Sequence, residues 1–279
     1  MVAARRLGLS KCPARSASSL GLFGGYDGNV VGGAMIGTGM ALTGACPGTV
    51  LVQVATGVQS GYFVLVGGLI GGTIFINTKH MLRRSTPPPT PTSSTEKPIT
   101  IFERLGVTET HAVLVYEAIC LAVVVAASTL PSHPLDVLLH PVVGGLVISA
   151  TQAGSLVMTG KALGVSTAYE EIPQLFGWLF GKKGAKNPMP AASATLFAAG
   201  IMIGSALLSQ GLHMSAVEGS AISIPRAIMG GIVMVFGARL AGGCTSGHGI
   251  SGMSTLGISS IVTTASIFAG GIAFATLLG

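Results

Sequence analysis

Charged side chains make up only 9% of this 279-residue chain, where a soluble domain carries about a quarter. A water-exposed globule is excluded. Carboxylates are the scarcest, nine Asp and Glu against fifteen Lys and Arg, and a cation pathway usually displays carboxylates. No Gly-Lys-Ser/Thr phosphate loop occurs, so nothing indicates ATP hydrolysis by this chain. The net charge of +6 is not gathered into a basic stripe interleaved with aromatics, which argues against nucleic acid as a partner. Cys244 and His248 lie four residues apart but supply two ligands where a structural metal site needs about four, so neither metal nor cofactor is expected.

What the chain does have is long apolar runs, with a mean hydropathy of +0.72. The strongest cover residues 28–45, 61–78, 111–130, 141–158, 191–210, 226–243 and 258–278. Each is long enough to cross a hydrocarbon core of about 30 Å in the company of lipid. Two shorter apolar pieces, 47–58 and 246–257, are too short to cross and read as half-helices or re-entrant segments. The expected fold is an all-α polytopic membrane protein, a pseudo-symmetric helical bundle with broken or re-entrant short helices.

The pseudo-symmetry comes from a repeat. Gly32-Gly33-Ala34-Met35-Ile36-Gly37-Thr38-Gly39 through Gly44-Ala45-Cys46 overlays Gly230-Gly231-Ile232-Val233-Met234-Val235-Phe236-Gly237 through Gly242-Gly243-Cys244 without a gap, at a constant offset of 198 (230 − 32 and 244 − 46). Each interior glycine costs a helix about 1 kcal/mol against alanine. So much glycine therefore predicts close helix packing, followed by a break at each cysteine. Gly33, Gly37 and Gly231 are read as packing residues. A looser relative, Gly144-Gly145 to Thr159-Gly160-Lys161, reads as another broken-helix element. Subtracting 198 from the span at 191–210 places its mate at or before the first residue, so an incomplete first repeat or a truncated sequence is expected.

Basic residues mark the connections. Arg5, Arg6, Lys11 and Arg15, then Lys79, Arg83, Arg84, Lys97 and Arg104, then Lys182, Lys183 and Lys186 place three regions on the cytoplasmic side or its equivalent. The chain divides into a basic amino-terminal tail (1–26), a first repeat unit (27–80), a Pro/Thr/Ser-rich basic loop (81–110) containing a solvated linker at 85–98, central helices (111–168), a second basic loop (169–190) and a second repeat unit (191–279). The tail also has the composition of a transit peptide. A plasma membrane location is expected, with an organellar membrane as the alternative.

The breaks would suit an anion. Pro47 fits the first position of a new half-helix, and the N–H groups of Gly48 and Thr49 would present the positive end of its dipole; Thr245, Ser246 and Gly247 can do likewise in the second copy. Arg239, Lys161 and His248 border the motifs, and Glu117 is the one carboxylate clearly inside a span. Thiols are soft, weak donors, better partners for a terminal sulfur than for oxyanion oxygens. Cys46 and Cys244 thus point to thiosulfate or a related reduced sulfur anion. Blander roles exist for each: Arg239 and Lys161 as interfacial anchors, His248 as a core hydrogen-bond former, Cys120 as a small buried hydrophobe and Cys12 as a tail thiol.

Gly44-Ala45-Cys46-Pro47-Gly48-Thr49, Thr159-Gly160-Lys161-Ala162-Leu163-Gly164-Val165-Ser166-Thr167 and Gly237-Ala238-Arg239-Leu240-Ala241-Gly242-Gly243-Cys244-Thr245-Ser246-Gly247-His248-Gly249 together resemble the YeeE/YedE sulfur-transport family, in particular its fungal-type members. The resemblance spans about residues 25–279. It implies an inner helical bundle of two halves, short helices dipping to a central constriction, and thiosulfate uptake without catalysis. By the same resemblance the ion passes between S–H groups, here those of Cys46 and Cys244. Membrane lipids and a soluble sulfur carrier would be its other partners. A membrane sulfur-handling enzyme using a cysteine persulfide, or a carrier of another sulfur or selenium species, is the alternative.

Overall fold

The computed structural model describes residues 14–82, 99–129, 141–160, 164–180, 192–211 and 222–278. Among them the secondary structure is helical: α1 (Asp27–Thr43), α2 (Pro47–Ala55), α3 (Gln59–Leu82), α4 (Ile101–Leu105), α5 (Glu109–Thr129), α6 (Pro141–Thr159), α7 (Ala168–Phe180), α8 (Ser193–Gly211), α9 (Ile224–Leu240), a π-helical segment (Ser246–Gly252), a 3₁₀ turn (Met253–Thr255) and α10 (Ile258–Leu278). Five segments are long and apolar enough to span a bilayer: 27–55 (α1 with α2), α3, 109–126, α8 and 258–277; α6 has a shorter apolar stretch. The protein is an all-α polytopic membrane protein.

Glycine fixes the centre. A methyl group added at Gly32 would lie 2.6 Å from the Gly237 carbonyl oxygen, and one at Gly237 would lie 2.7 Å from that of Gly32. One at Gly39 would lie 2.8 Å from the Gly230 carbonyl oxygen. Backbones this close leave room for no side chain, which is how small residues drive helix association in lipid. These contacts run in opposite order along the two helices, so α1 and α9 are antiparallel. The offset of 198 exchanges the two contact sets, because Gly32 maps to Gly230 and Gly39 to Gly237.

The outer pairs obey the same exchange. Gly33 of α1 abuts Thr263 and Ser266 of α10, while Gly231 of α9 abuts Val64 and Gly68 of α3. Here the contacts increase together, so each pair is parallel, with α1 and α10 pointing one way and α9 and α3 the other. The arrangement is an inverted repeat. Its core is small and tightly packed: Ile36, Val50, Val64, Ala227, Met234, Ala238 and Cys244 belong to one buried cluster, and Leu51, Val165, Tyr169, Ala198 and Val235 to a second.

The second short element, expected as a half-helix or re-entrant segment over 246–257, is a π-helical segment followed by a 3₁₀ turn; Gly247, Gly249 and Gly252 give it the backbone freedom to widen, and Ser260 packs where a Gly252 side chain would sit. The mid-chain relative is α6, which ends at a left-handed Gly160 (φ 65°) as α1 ends at Gly44 (φ 63°). A methyl added at its Gly144, Gly145 or Gly154 would meet nothing within 4 Å, so this glycine pair packs against no described neighbour. Cys120 is exposed on α5 rather than buried, on a helix with no buried described side chain.

The amino-terminal segment is also more than a tail. Asp27, fully buried, accepts N–H bonds from Leu20 (2.6 Å), Leu22 (2.6 Å) and Gly28 (2.9 Å). Asn29 accepts from the Ser18 N–H (2.7 Å) and donates to Thr263 Oγ1 (2.8 Å) and the Ala241 carbonyl (3.2 Å). Ser18 Oγ donates to the Leu240 carbonyl (2.6 Å), and Ser259 Oγ to that of Arg15 (2.7 Å). The polar groups so buried are matched by partners, and they strap residues 15–22 across the ends of α9 and α10. The linker at 85–98, the mate of α8 expected at the start of the chain, and Cys12 lie outside the described residues.

Candidate functional site

Both cysteines follow a left-handed glycine. α1 ends at Gly44 (φ 63°), which closes the helix with an N–H bond to the Met40 carbonyl (2.8 Å), and the corresponding turn after α9 has Gly242 at φ 81°. Only glycine adopts this conformation without strain. Two residues on, Cys46 caps α2: the Thr49 N–H donates to Cys46 Sγ (3.4 Å), the Cys46 N–H donates to Thr49 Oγ1 (2.7 Å), and Pro47 takes the first helical position. The helix terminus predicted from Pro47 and Thr49 is there, and the thiol sits on it as a capping group.

Cys244, in contrast, is fully buried. Its sulfur lies 3.1 Å from Ser246 Oγ and within reach of the Gly247 N–H and of Ser166. The segment opening α7 links the two thiols. A methyl at Gly48 would touch Cys46 Sγ and Val165 equally, at 3.8 Å, and Tyr169 Oη donates to the Pro47 carbonyl (2.7 Å) beside Cys46.

Two cavities flank the Cys244 turn. One, of about 600 Å³, is lined by Met40, Cys46, Thr245, Ser246, Phe268 and Ile272 among others. The other, of about 480 Å³, is lined by Arg15, Ser18, Phe75, Lys79, Arg239 and Gly242 among others. The first is lined by Gly37, Met40 and Ala41 toward the carboxyl end of α1 and the second by Arg239 and Leu240 at that of α9; since these helices are antiparallel, the cavities lie toward opposite faces. Residues 242–249 form the septum between them. The inverted repeat relates the two cavities, with different chemistry: Ala41 stands in one where Arg239 stands in the other.

The predicted site residues fall into groups. Cys46, Thr245 and Ser246 line the apolar cavity, and Pro47, Gly48 and Thr49 form the first turn of the helix that Cys46 caps. Gly247 lies on the other side of the septum, its carbonyl accepting from Arg15 Nε (3.0 Å). Arg239 is held by a carboxylate: its Nε is 2.7 Å from Glu170 Oε1 and its Nη2 donates to Glu170 Oε2 (3.0 Å). Further contacts run from Nη1 to Thr167 Oγ1 (3.4 Å) and Ser166 Oγ (3.5 Å). His248 is fully buried with both ring nitrogens engaged, Nε2 donating to the Ala241 carbonyl (3.2 Å) and Nδ1 facing Ser260 Oγ (3.0 Å). Lys161 lies outside the described residues.

Two charged residues at the site escape detection from sequence. Glu170 sits in the stretch assigned to a basic loop, yet is half-buried at the core of the ion pair. Arg15, assigned to the tail, donates from Nη1 to the Gly242 carbonyl (2.7 Å) and from Nε to that of Gly247. It bridges the two ends of the Cys244 turn and lines the same cavity as Arg239.

Comparison with known proteins matches residues 5–273 to the family described as sulphur transport. The chain belongs to that family. Two curated relatives, each described as a probable transporter from Xylella fastidiosa (strains 9a5c and Temecula1), are 29% identical over 140 residues. That match covers 50% of this chain and 94% of either relative. This sulphur-transport protein is thus an integral membrane transporter of a sulfur species, with two antiparallel repeats meeting at a septum that carries a buried thiol.

Proposed function

We propose that the protein is a permease for thiosulfate or a closely related reduced sulfur anion, and that the ion crosses the septum past the thiols of Cys46 and Cys244. The observation carrying this reading is the septum itself. One wall presents Cys46 on a helix amino terminus beside Thr245 and Ser246, the opposite wall presents two guanidinium groups, and Cys244 is buried between them. A terminal sulfur is well matched to S–H donors, and the oxygens to guanidinium and N–H groups. Tyr169 and Ser166 hold the third side. The residues are suited to binding and not to bond-breaking: His248, the base four positions from Cys244, has both nitrogens committed to structural partners.

The decisive experiment is uptake of radiolabelled thiosulfate into proteoliposomes or cells, with sulfate as competitor. Wild type takes up thiosulfate and excess sulfate competes poorly. Cys46→Ala and Cys244→Ala each lower the rate by about tenfold or more, the equivalent of one lost stabilising contact of about 1.4 kcal/mol at the barrier, while protein levels in the membrane stay normal. Equal competition by sulfate would remove the role given to sulfur, and normal uptake by both variants would remove the thiols from the path.

A further inference from the structure

We infer that the cavity beneath the amino-terminal strap is a binding site for a small divalent oxoanion, with Arg15 and Lys79 supplying its charge. This rests on the proposed substrate and assigns to it a holding site on the α3 side of the septum.

Arg239, the cation expected from the motif, is already balanced by both oxygens of Glu170. Arg15 is different. Its hydrogen bonds go to two main-chain carbonyls, which fix the guanidinium in place but carry no net charge to cancel it. It is held so closely that a methyl at Gly243 or at Gly247 would lie 2.9 Å from its terminal nitrogens, so the two glycines of the turn make the space it occupies. Lys79 lines the same cavity from α3, and Ser16 and Ser19 line it along the strap. No carboxylate lines the cavity among the described residues. A walled space of about 480 Å³ with two cations beyond the compensated pair has the size and charge for one tetrahedral dianion and its water. Arg15 is bonded to the carbonyls on either side of Cys244, so an ion held here is adjacent to the septum it must cross.

The test is thiosulfate binding to the purified full-length protein in detergent, read as a ligand-dependent rise in melting temperature over a concentration series, together with uptake by the same variants. Lys79→Gln touches no part of the Cys244 turn and removes charge alone; it weakens binding about fivefold to tenfold at low salt, as expected for one partly screened charge acting on a dianion. Arg15→Gln weakens it by at least as much, and Arg15→Lys recovers part of the loss. Full retention of affinity in Lys79→Gln and Arg15→Gln, with wild-type uptake intact, overturns the site while leaving thiosulfate transport standing. If wild type neither binds nor transports thiosulfate, the proposed substrate falls and takes this inference with it.

Discussion

Glu170 grips Arg239 with both carboxylate oxygens, and both side chains are largely shielded by the surrounding protein. Removing one partner from such a pair leaves the other charge stranded, which costs more than the pair contributes. Glu170→Gln is expected to destabilise the protein by about 1–3 kcal/mol after allowance for residual solvent access, visible as a lower melting temperature in detergent, and Glu170→Gln/Arg239→Gln to recover part of it. His248→Ala should cost about 1–3 kcal/mol by leaving the Ser260 hydroxyl without its imidazole partner and the Ala241 carbonyl with Asn29 alone, with reduced protein level in the membrane as the readout. The sequence makes Cys46 and Cys244 visible because they recur beside glycine breaks, and Thr49, Thr245 and Ser246 because they follow them. Arg15 is invisible for a physical reason: its partners are carbonyls of Gly242 and Gly247, and main-chain acceptors leave no mark in side-chain pattern. Glu170 hides similarly, since nothing local to α7 announces a partner on α9.

At the scale of elements, apolar length and glycine spacing carry most of the information. The membrane helices fall within a few residues of the expected ranges, and Pro47 opens α2 as its ring geometry requires. The offset of 198 is a statement about packing, because it exchanges the close contacts of α1 and α9. That predicts paired sensitivity. Gly32→Ala and Gly237→Ala each force a methyl into the facing carbonyl and should destabilise by about 1–3 kcal/mol, measurable as a lower melting temperature, whereas Gly144→Ala on α6, with open space around it, should change little. The sequence does not distinguish these glycines, since Gly144-Gly145 looks like Gly32-Gly33; only the neighbour decides. The π-helical turn is equally hidden, as its glycines permit many backbones and the buried His248 selects one.

For the whole molecule, the inverted repeat gives two mouths of unlike character on opposite faces. The distribution of Lys and Arg predicts that the Lys79 face is the cytoplasmic one or its equivalent, with the Cys46 mouth facing away. In a Cys12→Ser/Cys120→Ser background, a membrane-impermeant charged thiol reagent should therefore modify Cys46 from the non-cytoplasmic side and leave Cys244 unmodified from either, as read by mass shift in sealed vesicles of known orientation. Labelling of Cys46 from the Lys79 side would invert the assigned orientation. The basic loops contribute this orientation, but the residues that would show their structure, including Arg83, Arg84 and Lys182, lie outside the described part.

The strap has a consequence for biogenesis. Arg15 is made well before the carbonyls it binds, which belong to residues 227 and 232 positions later. At about 5–20 residues per second, the ribosome delivers them roughly 10–50 s after the arginine is added. Until then the early segment waits with its polar groups hydrated, and the helices of the first half insert without the clasp that will hold them. Maturation is complete only when α9 and α10 arrive and the two distant stretches of polypeptide close on each other, so a ribosome that stalls before Gly242 leaves a product with inserted helices and no finished septum.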